Sequence, residues 1–439
     1  MPDTTTVLPN LAVVGVRSAL GAFRCAIEAA SPQRCLTASY IPDGDLVVLG
    51  TGKAAVAMAI VVNEHASGQV SGLVVTRYGH GLLPEETAGQ IEIMEAGHPL
   101  PDDESAVAGQ RLLEFAEKLG SDNTLVFLVS GGGSALSIAP LGAVTLEQKR
   151  SATDYLMRVG ADIRDINCVR RHLSALKGGR LAQAAHPARV TTLAISDVPG
   201  DVIGDIASGP TIPDNSTAIQ AAEILTRHDY PRRDELAAVL MDSRYSSPDP
   251  EDTAFTLDSA EIIASSRISL DAAQDELESA GYAVHRLGDH LTDIARDLGR
   301  VHARLAIEFA NTNLPVAILS GGETRVVVGG KAGRGGRNLE YLAGLALQLD
   351  GHENIVAIAA DTDGIDGNAD HAGAIVTPAT LTLGRESGLD LADLLNQNDT
   401  YRYFQACKLL LVTGPTRTNV NDFRLILINP LHEVDSNGC

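Results

Sequence analysis

Positive charge is scarce in this sequence: lysine and arginine number 34 against 56 aspartate and glutamate, a formal net charge of −22. Nucleic acid and anionic membrane are therefore not expected as partners. Long apolar runs are missing too, and none approaches the ~20 residues of a membrane-spanning helix. The five cysteines (Cys25, Cys35, Cys168, Cys407, Cys439) include no CxxC and form no even set. That argues against a disulfide framework and for a reducing compartment. The opening MPDTTTVLPN has neither the basic start nor the apolar core of a secretory signal, so the cytoplasm is the expected location. HExxH, paired CxxC and GxxxxGK[ST] are absent, which removes zincin, zinc-ribbon and P-loop readings. An anionic small molecule would need lysine and arginine gathered locally against the overall field.

What is present suggests two or three domains with ample core: 439 residues, 44 % hydrophobic and 21 % charged. A first helix is expected over 11–30. Strands follow at 45–49, 72–76, 91–95, 124–129 and 190–195, alternating with helices at 55–65, 103–119, 146–159 and 218–228. A polar, proline-containing stretch, 242–253 (DSRYSSPDPEDT), breaks the pattern and marks a domain boundary. Alternation resumes with strands at 260–264, 283–286, 316–319, 355–360, 409–412 and 423–428. Apolar strands alternating with helices indicate mostly parallel sheets covered on both faces. The expectation is a two-domain α/β protein: a Rossmann-like domain over 1–241, a second α/β domain over 255–439, and an active site in the cleft between them.

Every chemistry-bearing loop sits after a predicted strand, where open α/β sheets bind ligands. GTGKAA at 50–55 fits the dinucleotide spacing GxGxxA, with Lys53 placed to meet an anion at a helix start. No acidic residue ends the next strand to read an NAD ribose. Thr76 and Arg77 stand there, leaving an NADP reading open. SGGGSA at 130–135 is a second anion nest or a simple tight turn; it fails the GxSxG elbow at Leu136. SALKGGRLA at 174–182 offers Lys177 beside two glycines. Asp197 and Asp201 in SDVPGD, beside ASGPT with Ser208 and Gly209, suit Mg²⁺ or a plain turn.

The densest stretch is LSGGETRVVVGGKAGRGGRNLEYLAG at 319–344, with five glycines within the eight positions 329–336, Lys331 and Arg334 among them and Arg337 next, before a helical pattern. Glycines let backbone amides approach a ligand, and the following helix adds donors and a positive dipole end. DTDGIDGNAD at 361–370 carries four aspartates but fails the EF-hand spacing, leaving Mg²⁺, hydroxyl groups or a charged turn. TGPTRTNVND at 413–422 gives hydroxyl and amide donors.

Taken as whole motifs, GTGKAA, SGGGSAL, LSALKGGRLA, ISDVPGD, IASGPT, LSGGETRVVVGGKAGRGGRNLE, DTDGIDG and TGPTRTNVND resemble the signature blocks of class II glycerate 2-kinases. This is the glycerate kinase family with a C-terminal MOFRL domain, some of whose members are labelled hydroxypyruvate reductase. The blocks run in family order from about residue 50 to 428. The resemblance implies phosphorylation of D-glycerate to 2-phosphoglycerate with ATP and Mg²⁺, on small-molecule partners alone, and is compatible with a homo-oligomer. It matches Lys53, Asp197 and Arg337 to catalytic positions. The candidate substrate and nucleotide contacts are Gly52, Ser130, Gly131, Gly132, Gly133, Ser134, Lys177, Ser208, Gly209, Glu323, Arg334, Asn338, Thr413 and Asn419. Metal candidates are Asp197, Asp361, Asp363 and Asp366. Arg417 departs from the family, which usually has glycine in TGPTGTN. The rival expectation is an NAD(P)H-dependent hydroxypyruvate reductase.

Overall fold

Short apolar runs become strands because their β-branched residues fit a pleated surface buried on both faces. The computed structural model describes residues 13–329, 333–367 and 370–429. It divides the chain into two units. In the first, Pro32–Ile263, the strands are β1 (Leu46–Thr51), β2 (Val70–Arg77), β3 (Gln90–Ala96), β4 (Thr124–Val129), β5 (Arg189–Ile195) and β6 (Ser259–Ala264). Their order is β3-β2-β1-β4-β5-β6, and β1 to β5 run parallel. This is the doubly wound order whose direction reverses between β1 and β4. Helix Ala55–His65 is buried at eight consecutive positions, 55 to 62, and so is apolar all round. Helix Asp103–Ala116 covers the face lined by Leu49, Leu73, Leu125 and Phe127. Asp102 starts it with a capping box to Ser105.

The second unit joins the chain from Ala264 onward to the chain's first helix, Val16–Ala30. Its strands are β7 (Ala283–Gly288), β8 (Val316–Gly322), β9 (Ile355–Asp361), β10 (Gly373–Val376), β11 (Leu410–Leu411) and β12 (Asp422–Ile428), ordered β11-β10-β9-β12-β8-β7. Only β7 and β8 pair in parallel; β12 runs antiparallel to both its neighbours, and β10 to β9 and β11. The sheet is mixed, unlike the mostly parallel one expected, because β12 returns directly between β8 and β9. Alternate residues face alternate cores: Val316, Ile318, Ala357 and Ile426 one way, Ala317, Leu319, Ile358 and Leu425 the other. The second of these faces is covered by the first helix, whose Val16, Ala19, Phe23 and Ile27 join it.

Two boundaries therefore differ from the sequence reading. The first helix packs in the second unit, because its apolar stripe matches that sheet face. Strand β6, read as the start of the second domain, extends the first sheet beside β5, with Ser259 Oγ donating to Thr191 Oγ1 and Val190 N–H to Asp258. Nothing in SAEIIA specifies which sheet it joins. Among the described residues, no helix is long and apolar enough to cross a membrane.

Candidate active site

In the first unit, the loops after β1 and β4 meet at the switch point and are stitched together. Lys53 N–H donates to Gly131 O at 2.9 Å, Ser130 N–H to Thr51 O at 3.2 Å and Ala54 N–H to Ser130 Oγ at 3.0 Å. The approach requires Gly52, at φ 139°, where a Cβ would lie 2.2 Å from Ser130 Oγ. Gly132 adopts φ 86° and opens the short turn Gly133–Leu136. Among the described residues, none accepts a hydrogen bond from the N–H of Gly131, Gly132 or Ser134. Successive amides around a left-handed glycine form an anion nest. Two side chains border it: a Cβ on Gly132 would lie 3.6 Å from Lys53 Cγ and 3.0 Å from His98 Nε2.

A third loop closes on the nest. Ala207, Ser208 and Gly209 all have left-handed φ, 50°, 61° and 61°, which costs about 1–2 kcal/mol at each non-glycine position. A matching row of donors holds their carbonyls: Lys177 Nζ to Ala207 O at 2.9 Å, Gly178 N–H to Ser208 O at 3.2 Å and Gly179 N–H to Gly209 O at 2.9 Å. The strained Ser208 then sits with its Oγ 2.9 Å from Ser134 Oγ. Lys177 is 1 % exposed; burial first, then Arg170 and Arg171, lower its pKa to about 7. Asp197 lies half-buried on the loop after β5. Gly52, Lys53, Ser130–Ser134, Lys177, Ser208 and Gly209 are thus gathered at one edge of one sheet.

The second unit treats its charges differently. Arg337 donates from Nε to Asp422 at 2.8 Å, from one terminal nitrogen to Glu323 at 2.5 Å and from the other to Asp361 at 2.6 Å. Burial works against its charge, but Asp422, Asp361 and Glu323 outweigh that and hold it protonated. Asp422 also accepts from the fully buried Arg424 at 2.6 Å and from Asn338 Nδ2 at 2.8 Å. The helix Arg337–Leu349 has no side-chain cap from Gly336. Asp366 takes that place, accepting from the N–H of Asn338 at 3.3 Å and of Leu339 at 3.2 Å. A Cβ on Gly336 would lie 2.0 Å from Asp366 Oδ2, so this approach is what the glycine serves. The acceptor at that helix start is the chain's own Asp366 carboxyl group.

The remaining candidates of this unit divide between turns and surface. Asp361 Oδ1 accepts from Asp363 N–H and Asp363 Oδ1 from Ile365 N–H. Asn419 Oδ1 accepts from Asn421 N–H at 3.3 Å, and Thr413 Oγ1 donates to Gly414 O at 2.8 Å. Arg334 lies over the Tyr401 ring at 3.9 Å and pairs with exposed Asp370 at 3.3 Å. Lys331 falls outside the described residues. Among those described, no three His, Cys, Asp or Glu side chains group to hold a metal ion. The sequence reading missed His98 and the central role of Asp422. His98 had a signal, a histidine two residues past a strand; Asp422 had none, since its partners Arg337 and Asn338 lie 85 and 84 positions away in the sequence.

Residues 18–241 match a domain of unknown function, DUF4147, and residues 316–422 match the MOFRL family. A D-glycerate 2-kinase of Thermotoga maritima is 37 % identical over 92 % of this chain and 95 % of its own. A crystal structure of glycerate kinase from that organism matches with a TM-score of 0.83 at 36 % identity, over 94 % of this chain and 99 % of that one. This chain belongs to the class II glycerate 2-kinase family. A protein of Agrobacterium vitis, 44 % identical over 92 % of this chain and 93 % of its own, carries the provisional name hydroxypyruvate reductase. The position where this chain departs from the family's usual glycine, Arg417, has φ 63°. A glycine is favoured there because the backbone is left-handed.

Proposed function

We propose that the chain transfers the terminal phosphoryl group of ATP to the 2-hydroxyl of D-glycerate. The observation that carries this reading is the amide nest of Gly131, Gly132 and Ser134 with Lys53 beside it. Fixed amide donors and a lysine suit phosphoryl transfer, which depends on positioning and charge neutralisation. In the reaction the hydroxyl oxygen bonds to phosphorus, the bond from phosphorus to the ADP oxygen breaks with its electron pair staying on ADP, and the hydroxyl proton passes to solvent. Lys53 meets the anionic oxygens, and the Ser134–Ser208 pair fixes the wall of the loop. A Mg²⁺ ion, when bound, neutralises phosphate charge; it needs one or two carboxylates, with waters and phosphate completing the shell. Asp361 and Asp366 fit that role poorly, engaged with Arg337 and with a helix start. Asp197 is the candidate on the same sheet as the nest, a half-buried carboxylate on the loop after β5.

The reductase reading loses its main support. A dinucleotide pyrophosphate would be held by the amides of the GxGxxA loop. Gly52 N–H donates to Val75 O, Lys53 N–H to Gly131 O, Ala54 N–H to Ser130 Oγ and Ala55 N–H to Gly52 O. These donors are engaged inside the protein. The deciding experiment pairs a coupled ADP-release assay on D-glycerate, ATP and Mg²⁺ with NADPH absorbance on hydroxypyruvate. Turnover in the first alone is expected; turnover in the second alone would reverse the reading.

A further inference from the structure

We propose that His98 is a further ligand-contacting residue of this nest, its imidazole donating to the same anionic oxygens that Lys53 meets. The proposal deepens the kinase reading and rests on it for the identity of the ligand. Three observations carry it. A Cβ on Gly132 would meet both the His98 ring, whose Cδ2 and Nε2 lie 2.9 and 3.0 Å from that point, and Lys53 Cγ at 3.6 Å. The amides of Gly131, Gly132 and Ser134 have no acceptor among the described residues, so an anion there would have His98 as its neighbour. Finally, His98 has been brought a long way. Strands β3 and β4 are separated by β2 and β1, three spacings or about 14 Å, so the ring reaches Gly132 only by the two loops leaning over the intervening strand ends.

The segment carrying His98 is fixed as a working part would be. Gly97 N–H donates to Asp102 Oδ1 at 3.1 Å, and Asp102 accepts from Tyr78 OH at 2.8 Å while capping the next helix. Arg150 donates to Pro101 O. A Cβ on Gly97 would meet Leu100 O at 2.7 Å, so the turn is closed as tightly as glycine permits. These anchors hold a half-buried imidazole beside a row of amide donors, which is how a site reads a carboxylate or phosphoryl oxygen.

The test uses the full chain and His98→Ala and His98→Gln variants. Coupled ADP release gives KM for D-glycerate and for ATP separately. Calorimetric titration with D-glycerate and with inorganic phosphate gives affinities without turnover. His98→Ala is expected to raise the acid's KM and its calorimetric Kd about 10- to 100-fold, one hydrogen bond to a charged group. The KM for ATP should stay within about twofold, and His98→Gln, which keeps a donor, should recover much of the loss. If the ATP and phosphate values rise instead, the contact stands and its ligand is a phosphoryl oxygen. A folded His98→Ala chain with native KM values and native affinities for both probes overturns the proposal. If the native chain phosphorylates no acid, the kinase reading fails by itself. The calorimetry then decides: weaker binding in His98→Ala upholds the contact, and equal binding, or none to the native chain, overturns it.

Discussion

Two glycine-rich turns with cations beside them, 130–134 in the parallel-sheet unit and 333–338 in the mixed-sheet unit, look alike in sequence and are built for opposite ends. Around Gly132 the amides have no acceptor among the described residues, and Lys53 and His98 lie beside them. Around Gly336 the chain supplies its own acceptors, with the Asp366 carboxyl group on the helix start and the Asp422, Asp361 and Glu323 carboxylates on Arg337. The difference lies in carboxylates that arrive from distant segments. A glycine-and-arginine signature reports that an anion belongs there, and the fold decides whether that anion is a guest.

The largest expected effect tests the self-neutralised cluster. Asp422→Ala leaves Arg337 and buried Arg424 short of a shared counter-charge, and removing one partner of a buried pair costs about 3–5 kcal/mol. Hydrogen exchange on β8 and β12 should show the loss in the second unit; a change below about 1 kcal/mol would mean the network is not what holds that loop. Next comes Lys53→Ala, which removes a charge-assisted contact worth about 2–4 kcal/mol in the transition state, roughly 30- to 1000-fold in kcat/KM. The fold should be retained, and a folded variant with near-native kcat/KM would reduce the 130–134 nest to a turn. Asp197→Asn should weaken the apparent Mg²⁺ affinity by at least about tenfold, with added Mg²⁺ recovering part of the rate. Recovery of nothing would point to a proton acceptor instead.

The two units should also respond to pH in opposite senses. Asp366 is raised from 3.8 to about 7, by burial first and then by Asp422. Its folded form binds the proton more tightly than the unfolded chain, so its contribution is full below about 3.8 and is lost as pH rises to about 7. Lys177 is lowered from 10.5 to about 7. Its contribution is full above 10.5 and is lost as pH falls toward 7. Asp366→Asn should flatten the first slope and Lys177→Met the second, read as exchange protection in each unit separately. Slopes that persist in both variants would assign the dependence to other groups. The smallest effect is Arg417→Gly, which relieves a left-handed φ of 63° and should stabilise by about 1 kcal/mol or less. A destabilised variant would mean that the arginine's own contacts outweigh the strain.

Much of this was legible beforehand because burial writes itself into apolar runs. Strand 124–129 was placed to the residue, and the doubly wound alternation led to Lys53 and Ser130. What stayed hidden depends on partners distant in sequence. Helix Ile163–His172 is mostly polar, with Ile163, Ile166, Cys168 and Val169 as its apolar residues, and β10 is four residues long. Asp366 reads as a metal ligand until helix Arg337–Leu349 is seen to start beside it. His98 gains meaning from a glycine 34 positions later.

The first helix has a consequence for how the protein is made. Val16–Ala30 belongs with strands that begin beyond Ala264, so a ribosome delivers its docking surface only after the whole parallel-sheet unit. At 5–20 residues per second that is a wait of about 10–50 s. During it an amphipathic helix with Val16, Phe23 and Ile27 on one face has no sheet to cover. The parallel-sheet unit, continuous in the chain, can complete its core meanwhile. Chaperone dependence and truncation toxicity are therefore expected to centre on the short N-terminal segment, not on the larger unit that follows it.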